Sequence, residues 1–234
     1  MSRGEETFEP SVFSYDSGQH DFRSLICGIF GTSRLESLHD SSIGILKRGN
    51  DQSTEFHRKF YENFTGDGDI HSAYLKFIDD VIAPIFGEPF CYQAVPTFRI
   101  HLPGNVAVGE FHKDGDYNHS PGEVNFWVPF TKASGTNSVF IETALGSGEF
   151  KPADVSYGEV LTFDAVRWLH GNRLNDSGQT RVSFDFRCVA MSLYRPTGLK
   201  TVNVGKTLEI GDYFERSSRF GASTQPARED ADVC

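Results

Sequence analysis

The chain is short of cysteine and has no C-x-x-C pair. Its four cysteines, Cys27, Cys91, Cys188 and Cys234, are scattered over 234 residues, which fits neither a disulfide framework nor a zinc knot. Basic residues are also in deficit: 22 Lys and Arg stand against 32 Asp and Glu, a formal net charge of −10. Nucleic-acid binding is thereby excluded, because phosphates must be neutralised by Lys and Arg. No basic amphipathic helix marks a membrane surface. No apolar run approaches the ~20 residues of a membrane span, and no basic-then-apolar leader opens the chain, so no signal peptide is expected. The expectation is a cytoplasmic protein with reduced thiols and a small-molecule partner, its oligomeric state not legible. The acidic balance hints at a basic substrate.

What is present is apolar and aromatic mass. Hydrophobic residues make up 38% of the chain, with 21 Phe, enough to bury a sizeable core. Residues 1–20 read as an irregular arm with at most a short strand, and 28–46 as short elements and turns. Phe56, Phe60, Tyr61 and Phe64 recur at helical spacing, predicting a helix over 54–64. Ala73, Tyr74, Phe77, Ile78, Val81 and Ile82 form a second stripe, predicting a helix over 70–86 capped by Asp69 and ended near Pro84 and Gly87.

From about residue 90 the texture changes. Runs rich in Val, Phe, Ile and Thr alternate with Gly, Pro and Asn turns, placing strands near 91–101, 106–113, 123–130, 137–142, 159–164, 166–170 and 180–192. Helices followed by many short strands indicate an α+β architecture, its β part a sandwich or jelly roll. One domain over 1–215 is expected, helical over about 20–88 with a β core over about 90–192; 216–234 reads as a flexible tail.

Within the β region, Phe111-His112-Lys113-Asp114 puts a histidine and a carboxylate at i and i+2, on one face of a strand. Trp168-Leu169-His170-Gly171-Asn172 offers a second histidine at an expected strand end. Two histidines and one carboxylate form the face that suits non-haem Fe(II) and leaves coordination positions open. Beyond it, Arg181-Val182-Ser183-Phe184-Asp185-Phe186-Arg187 alternates cleanly. Val182, Phe184, Phe186 and Cys188 share one face; Arg181, Ser183, Asp185 and Arg187 share the other. A lumen lined by Arg and Ser calls for an anionic guest, since an unpaired buried guanidinium is very costly. The guanidinium fork of Arg181, with the Ser183 hydroxyl beside it, suits a carboxylate.

The set His112-x-Asp114, His170, Arg181-x-Ser183 resembles the Fe(II)/2-oxoglutarate-dependent oxygenases. Gly122-Glu123-Val124-Asn125-Phe126-Trp127-Val128-Pro129, Gly135-Thr136-Asn137 and the run from Arg181 to Arg187 resemble the subgroup found in streptomycin-type aminoglycoside biosynthesis. The resemblance covers roughly 90–192. It implies a double-stranded β-helix with helices packed on one sheet. It also implies that His112, Asp114 and His170 hold iron, and that Arg181 and Ser183 bind 2-oxoglutarate, which O₂ converts to succinate and CO₂ while a substrate hydrogen is removed. Halogenating relatives lack the ligand carboxylate, so Asp114 favours hydroxylation; desaturation or oxidative cyclisation would carry the same motif.

For 2-oxoglutarate or substrate, Asn125 is a further candidate. For substrate alone the candidates are Asp185, Arg187, Asn137, Trp127, Tyr117 and Arg167, with Glu142 and His119 behind them. Asp185 and Arg187 serve equally well as an internal ion pair. His20, His39, His57, His71 and His101 read as packing or surface residues. Two rival functions remain at this level: a non-catalytic jelly-roll module binding a sugar or carboxylate, and another metal chemistry without 2-oxoglutarate.

Overall fold

The computed structural model describes residues 8–40, 54–65, 68–107, 110–202 and 205–220. Among these residues, ten strands form two sheets. β1 (Ser11–Ser14), β2 (Phe90–Gln93), β3 (Thr97–His101), β4 (Glu123–Pro129), β7 (Glu159–Phe163), β9 (Arg181–Ala190) and β10 (Phe214–Arg216) make a seven-stranded sheet, ordered β1-β7-β4-β9-β2-β10 with β3 also paired to β9. β5 (Val139–Glu142), β6 (Phe150–Pro152) and β8 (His170–Asn172) make the second, ordered β6-β5-β8. All named pairings are antiparallel. The α+β jelly roll with helices on one sheet, expected from the sequence, is the fold found.

β9 is the axis of the large sheet. Its first half pairs with β3 and its second with β2, so the expected strand over 91–101 is two strands laid end to end. The break falls at Ala94, Val95 and Pro96, where proline has no N–H to give a ladder. Every residue of β9 is buried, so both faces meet protein. Val182, Phe184, Phe186 and Cys188 join the core under the helices. Across the other face, Trp127, Leu161 and Phe163 of the large sheet pack with Val139 and Ile141 of the small one.

The helical layer is α1 (Phe22–Phe30), α2 (Glu55–Phe64), α3 (Asp69–Phe77) and α4 (Ala83–Phe86). Phe22 meets Phe184 edge-on at 5.2 Å, and Tyr74 meets Phe186 at 5.4 Å. The Tyr74 hydroxyl donates to the Gln93 carbonyl at 2.7 Å, which lets a polar tip enter this apolar layer. α2 begins at the Thr54 cap as the spacing predicts. The expected helix over 70–86 is interrupted by a π turn, Ile78–Ile82, and Gly68 rather than Asp69 is its cap. α1 is an addition to the sequence reading. Its signals were present: Asp21 accepts from the Ser24 amide, Phe22 and Ile26 are buried one turn apart, and Gly31 takes the left-handed cap at φ 65°.

Two expected strands shrink. Over 106–113, Ala107 turns left-handed at φ 53° and only His112 makes a β-bridge; Val108 and Gly109 lie outside the described residues. Residues 165–167 are a turn closed by Asp164, whose carbonyl accepts from Arg167 and Trp168, so His170 begins a strand instead of ending one. At the C-terminal side, β10 pairs with β2, the Ser217 amide donates to Phe90 and Ser218 bonds Asp79. The segment from 216 is therefore packed through 220; 221–234, the remainder of the expected tail, lie outside the described residues, as does Cys234. Cys91 and Cys188 are buried and Cys27 half-buried, all as free thiols. Among the described residues no helix is long and apolar enough to cross a membrane.

His57 ties the helical layer to pH. It is buried on α2 beside Phe98, and burial, reinforced by Arg99, pushes its pKa down to about 4. Unfolded, it titrates near the ordinary ~6.5. The folded protein therefore loses stability as pH falls from about 6.5 towards 4. Urea unfolding at pH 7.5 and pH 5 should show a His57→Gln variant losing on the order of 1–2 kcal/mol less than the parent over that step.

Candidate active site

His112 and His170 are joined through their backbones. Each donates its N–H to the other's carbonyl, at 2.9 and 3.0 Å, an antiparallel bridge that sets the two rings side by side, 4.5 Å between centroids. The chains approach so closely there that a Cβ on Gly171 would lie 3.0 Å from Phe111 Cα. Asp114 opens a 3-10 turn, Asp114–Tyr117, pinned by its amide to the Ala165 carbonyl at 2.8 Å. His112 and Asp114 converge by this turn, not by strand alternation.

The three donor atoms lie within 4.8 Å of one another, with Asp114 Oδ1 at 3.6 Å from His112 Nε2 and 3.7 Å from His170 Nε2. Each imidazole has its other nitrogen against a carbonyl: His112 Nδ1 to Glu110 at 2.8 Å, His170 Nδ1 to Trp168 at 3.0 Å. A carbonyl only accepts, so both Nδ1 atoms carry the proton and both Nε2 lone pairs face the centre. Burial pushes the His170 pKa down to about 4, against the pull of Asp114, which keeps it a neutral ligand. Burial alone would raise the pKa of Asp114, yet Arg187, helped by His170, holds it well below the usual carboxylate range. Two imidazoles and one carboxylate on one face fit a divalent iron with open positions.

Arg187 sets the carboxylate's direction. Its Nε and Nη2 donate to Asp114 Oδ2 at 3.0 and 2.8 Å, leaving Oδ1 for the centre. Its Nη1 donates to Asp185 at 2.9 Å, and Asp185 accepts from Arg99 Nε at 2.8 Å. An alternating row Arg99–Asp185–Arg187–Asp114 thus runs up to the ligand.

Beside the triad lies an open cavity, lined among others by Arg99, Asn125, Trp127, Asn172, Arg181, Asp185 and Arg187. Arg181 is held by the Asn137 carbonyl, Ser183 Oγ and Asn172 Oδ1 at 3.0–3.1 Å, and lies over the Trp127 ring at 5.3 Å. Asn125 Oδ1 is buried with no hydrogen-bond partner among the described residues.

Other sequence candidates fall elsewhere. The Asn137 side chain accepts from the Ser134 amide, so only its carbonyl reaches Arg181. Arg167 is turned to Asp164 at 3.0 Å. Glu142 holds the Gly146 and Gly148 amides, and His119 bonds Glu123 at 2.6 Å. Tyr117 sets its ring edge-on to His112 at 5.3 Å. His101, read as packing, is fully buried between the Asn105 and Asn137 carbonyls. Arg99 and Asn172 are the polar lining residues that sequence reasoning did not select. Arg99 had one signal, its position in the same strand as the polar His101.

The architecture matches solved structures of this kind. The non-haem alpha-ketoglutarate-dependent carbocyclase SnoK from nogalamycin biosynthesis aligns with a TM-score of 0.54 at 14% identity, over 89% of this chain and 92% of that one. AviO1 from Streptomyces viridochromogenes Tue57 aligns with a TM-score of 0.54 at 14% identity, over 81% of this chain and 93% of that one. The related epimerase SnoN aligns at 0.52 with 12% identity, over 93% and 94%. The fold is thus that of the Fe(II)/2-oxoglutarate-dependent oxygenases, and the triad fits it. No family model matches the chain. The streptomycin biosynthesis protein StrG of Streptomyces griseus is 35% identical over 202 residues, 86% of this chain and 95% of that protein. The chain belongs to the family of StrG, as its motifs led one to expect.

Two variants check the geometry. Arg187→Lys keeps a charge but loses the two-point grip on Asp114; Fe(II) affinity, titrated anaerobically on folded protein, should fall roughly 10–100-fold. Gly171→Ala should push the Phe111 segment away from His170 and weaken Fe(II) at least about tenfold, with circular dichroism unchanged.

Proposed function

We propose that the protein is an Fe(II)/2-oxoglutarate-dependent oxygenase that hydroxylates a small polar metabolite in a biosynthetic pathway. The observation that carries this is the fixed guanidinium of Arg181 in the same cavity as the His112, Asp114 and His170 donors. Iron, with 2-oxoglutarate and O₂, supplies the oxidising power, and the co-substrate leaves as succinate and CO₂.

The chain's own residues do the positioning. Arg181 and Ser183 take the far carboxylate of 2-oxoglutarate, and Trp127 beneath the guanidinium excludes water from that contact. Asn172 and the Asn137 carbonyl hold Arg181 before the co-substrate arrives, which lowers the ordering cost of binding. Asn125 serves the co-substrate through its amide nitrogen. Its partnerless Oδ1 needs a donor, which a 2-oxoglutarate dianion does not have, so it takes a substrate hydroxyl. Arg187 and Asp185 act on the substrate side chiefly by fixing Asp114 and Arg99.

A desaturation or oxidative cyclisation is the second reading. It is favoured by the same fold serving a carbocyclase and an epimerase. The StrG relationship supports a biosynthetic role.

Anaerobic addition of Fe(II) and 2-oxoglutarate should produce a charge-transfer band that requires both and is lost in Arg181→Ala. Mass spectrometry of candidate metabolites in air should then show the gain of one oxygen. A loss of two hydrogens moves the reaction to desaturation or cyclisation. No band and no succinate would leave a non-catalytic binding module.

A further inference from the structure

Three arginines line the cavity, and they differ in what their nitrogens do. Arg187 uses Nε and Nη2 on Asp114 and Nη1 on Asp185. Arg181 uses Nε, Nη1 and Nη2 on Asn137, Ser183 and Asn172. Arg99 uses only Nε, on Asp185. Its Nη1 and Nη2 make no hydrogen bond to any described residue, and its side chain keeps 23% of its surface exposed where that of Arg187 keeps 10%. The Nε bond also directs Arg99. Its register partner on β9 is Ser183, yet the guanidinium is drawn along the strand to Asp185, away from Arg181.

The charge count agrees. Arg99, Arg181 and Arg187 face Asp114 and Asp185 across the lining and the triad, so one positive charge is in excess. Divalent iron and the 2-oxoglutarate dianion cancel each other and leave that excess where it was. Asp185 is saturated by two arginines, so the uncompensated charge sits at the Arg99 tip. The tip is planar and leaves Nη1 and Nη2 without a described partner, the form that grips an oxyanion at two points.

We propose that Arg99 binds an anionic group of the substrate, a phosphate or a carboxylate, through Nη1 and Nη2. The substrate is then a small polar molecule carrying that anion, held at Arg99 while its reacting carbon faces the triad. This rests on the oxygenase reading for the identity of the co-substrate. It runs against the basic substrate hinted at by the chain's net charge of −10, because the charge lining a partly enclosed site outweighs charges spread over a solvated surface.

The test is calorimetric titration of the anaerobic, Fe(II)- and 2-oxoglutarate-loaded protein with glucose 6-phosphate, gluconate and glucose as probes. At least one anion should bind where glucose does not, and the stronger of the two names the group. Arg99→Gln should weaken that anion at least about tenfold, Arg99→Lys should recover only part of that loss because an ammonium lacks the two-point fork, and the charge-transfer band should form at the same 2-oxoglutarate concentration in both. Anions binding no better than glucose, or equally well to Arg99→Gln, would overturn the proposal. So would loss of the band in Arg99→Gln, which would assign Arg99 to the co-substrate. If the parent protein forms no band, the oxygenase reading fails separately, and the same titrations on metal-free protein still decide Arg99.

Discussion

Arg187 and Asp114 meet with two hydrogen bonds, 2.8 and 3.0 Å, inside the protein. Asp114 stands on a short 3-10 turn, so no sheet ladder aims its carboxylate. The arginine does so, from a strand buried along its whole length. Burying either charge alone would cost several kcal/mol; together they neutralise each other and remain ionised. The same contact couples β9 to the segment that carries His112, so the core strand and the metal face form one rigid unit.

The histidines are fixed by different means. Their mutual backbone bridge positions both main chains, and the carbonyls of Glu110 and Trp168 select the tautomer. Gly171 makes the bridge possible by carrying no side chain where Phe111 crosses. The donor set is therefore held by the chain's own hydrogen bonds, at the edge of the cavity.

The helical layer contributes at one remove. Phe22, Tyr74 and Phe77 cover the apolar face of β9, which forces Arg181, Ser183, Asp185 and Arg187 onto the opposite face, into the space between the sheets. A strand with one face packed on helices has only that other face to give to a ligand. The chemistry that follows is not a property of the fold, which serves several outcomes on the same scaffold. It is decided by where substrate lies relative to the triad, and on the proposed reading by residues such as Arg99 and Asn125.

Local pattern by itself determined a good deal. The period-2 alternation of Arg181–Ala190, the aromatic stripe of α2, the HxD pair with a later histidine and the Arg-x-Ser pair are each written within a few residues, and periodicity alone assigns their faces. Tertiary structure decided the rest. Whether Arg187 meets a substrate or Asp114 depends on a contact between positions 73 residues apart. That His112 makes a lone bridge instead of a strand depends on Ala107 and on the passing Gly171. That Arg167, Glu142 and His119 are used up locally, while Arg99 keeps a free edge, depends on which partners the fold brings within 3 Å. Sequence spacing reports the direction of a side chain along its own element; it carries no information about the distance to another element, and hydrogen bonds and ion pairs are made at that distance.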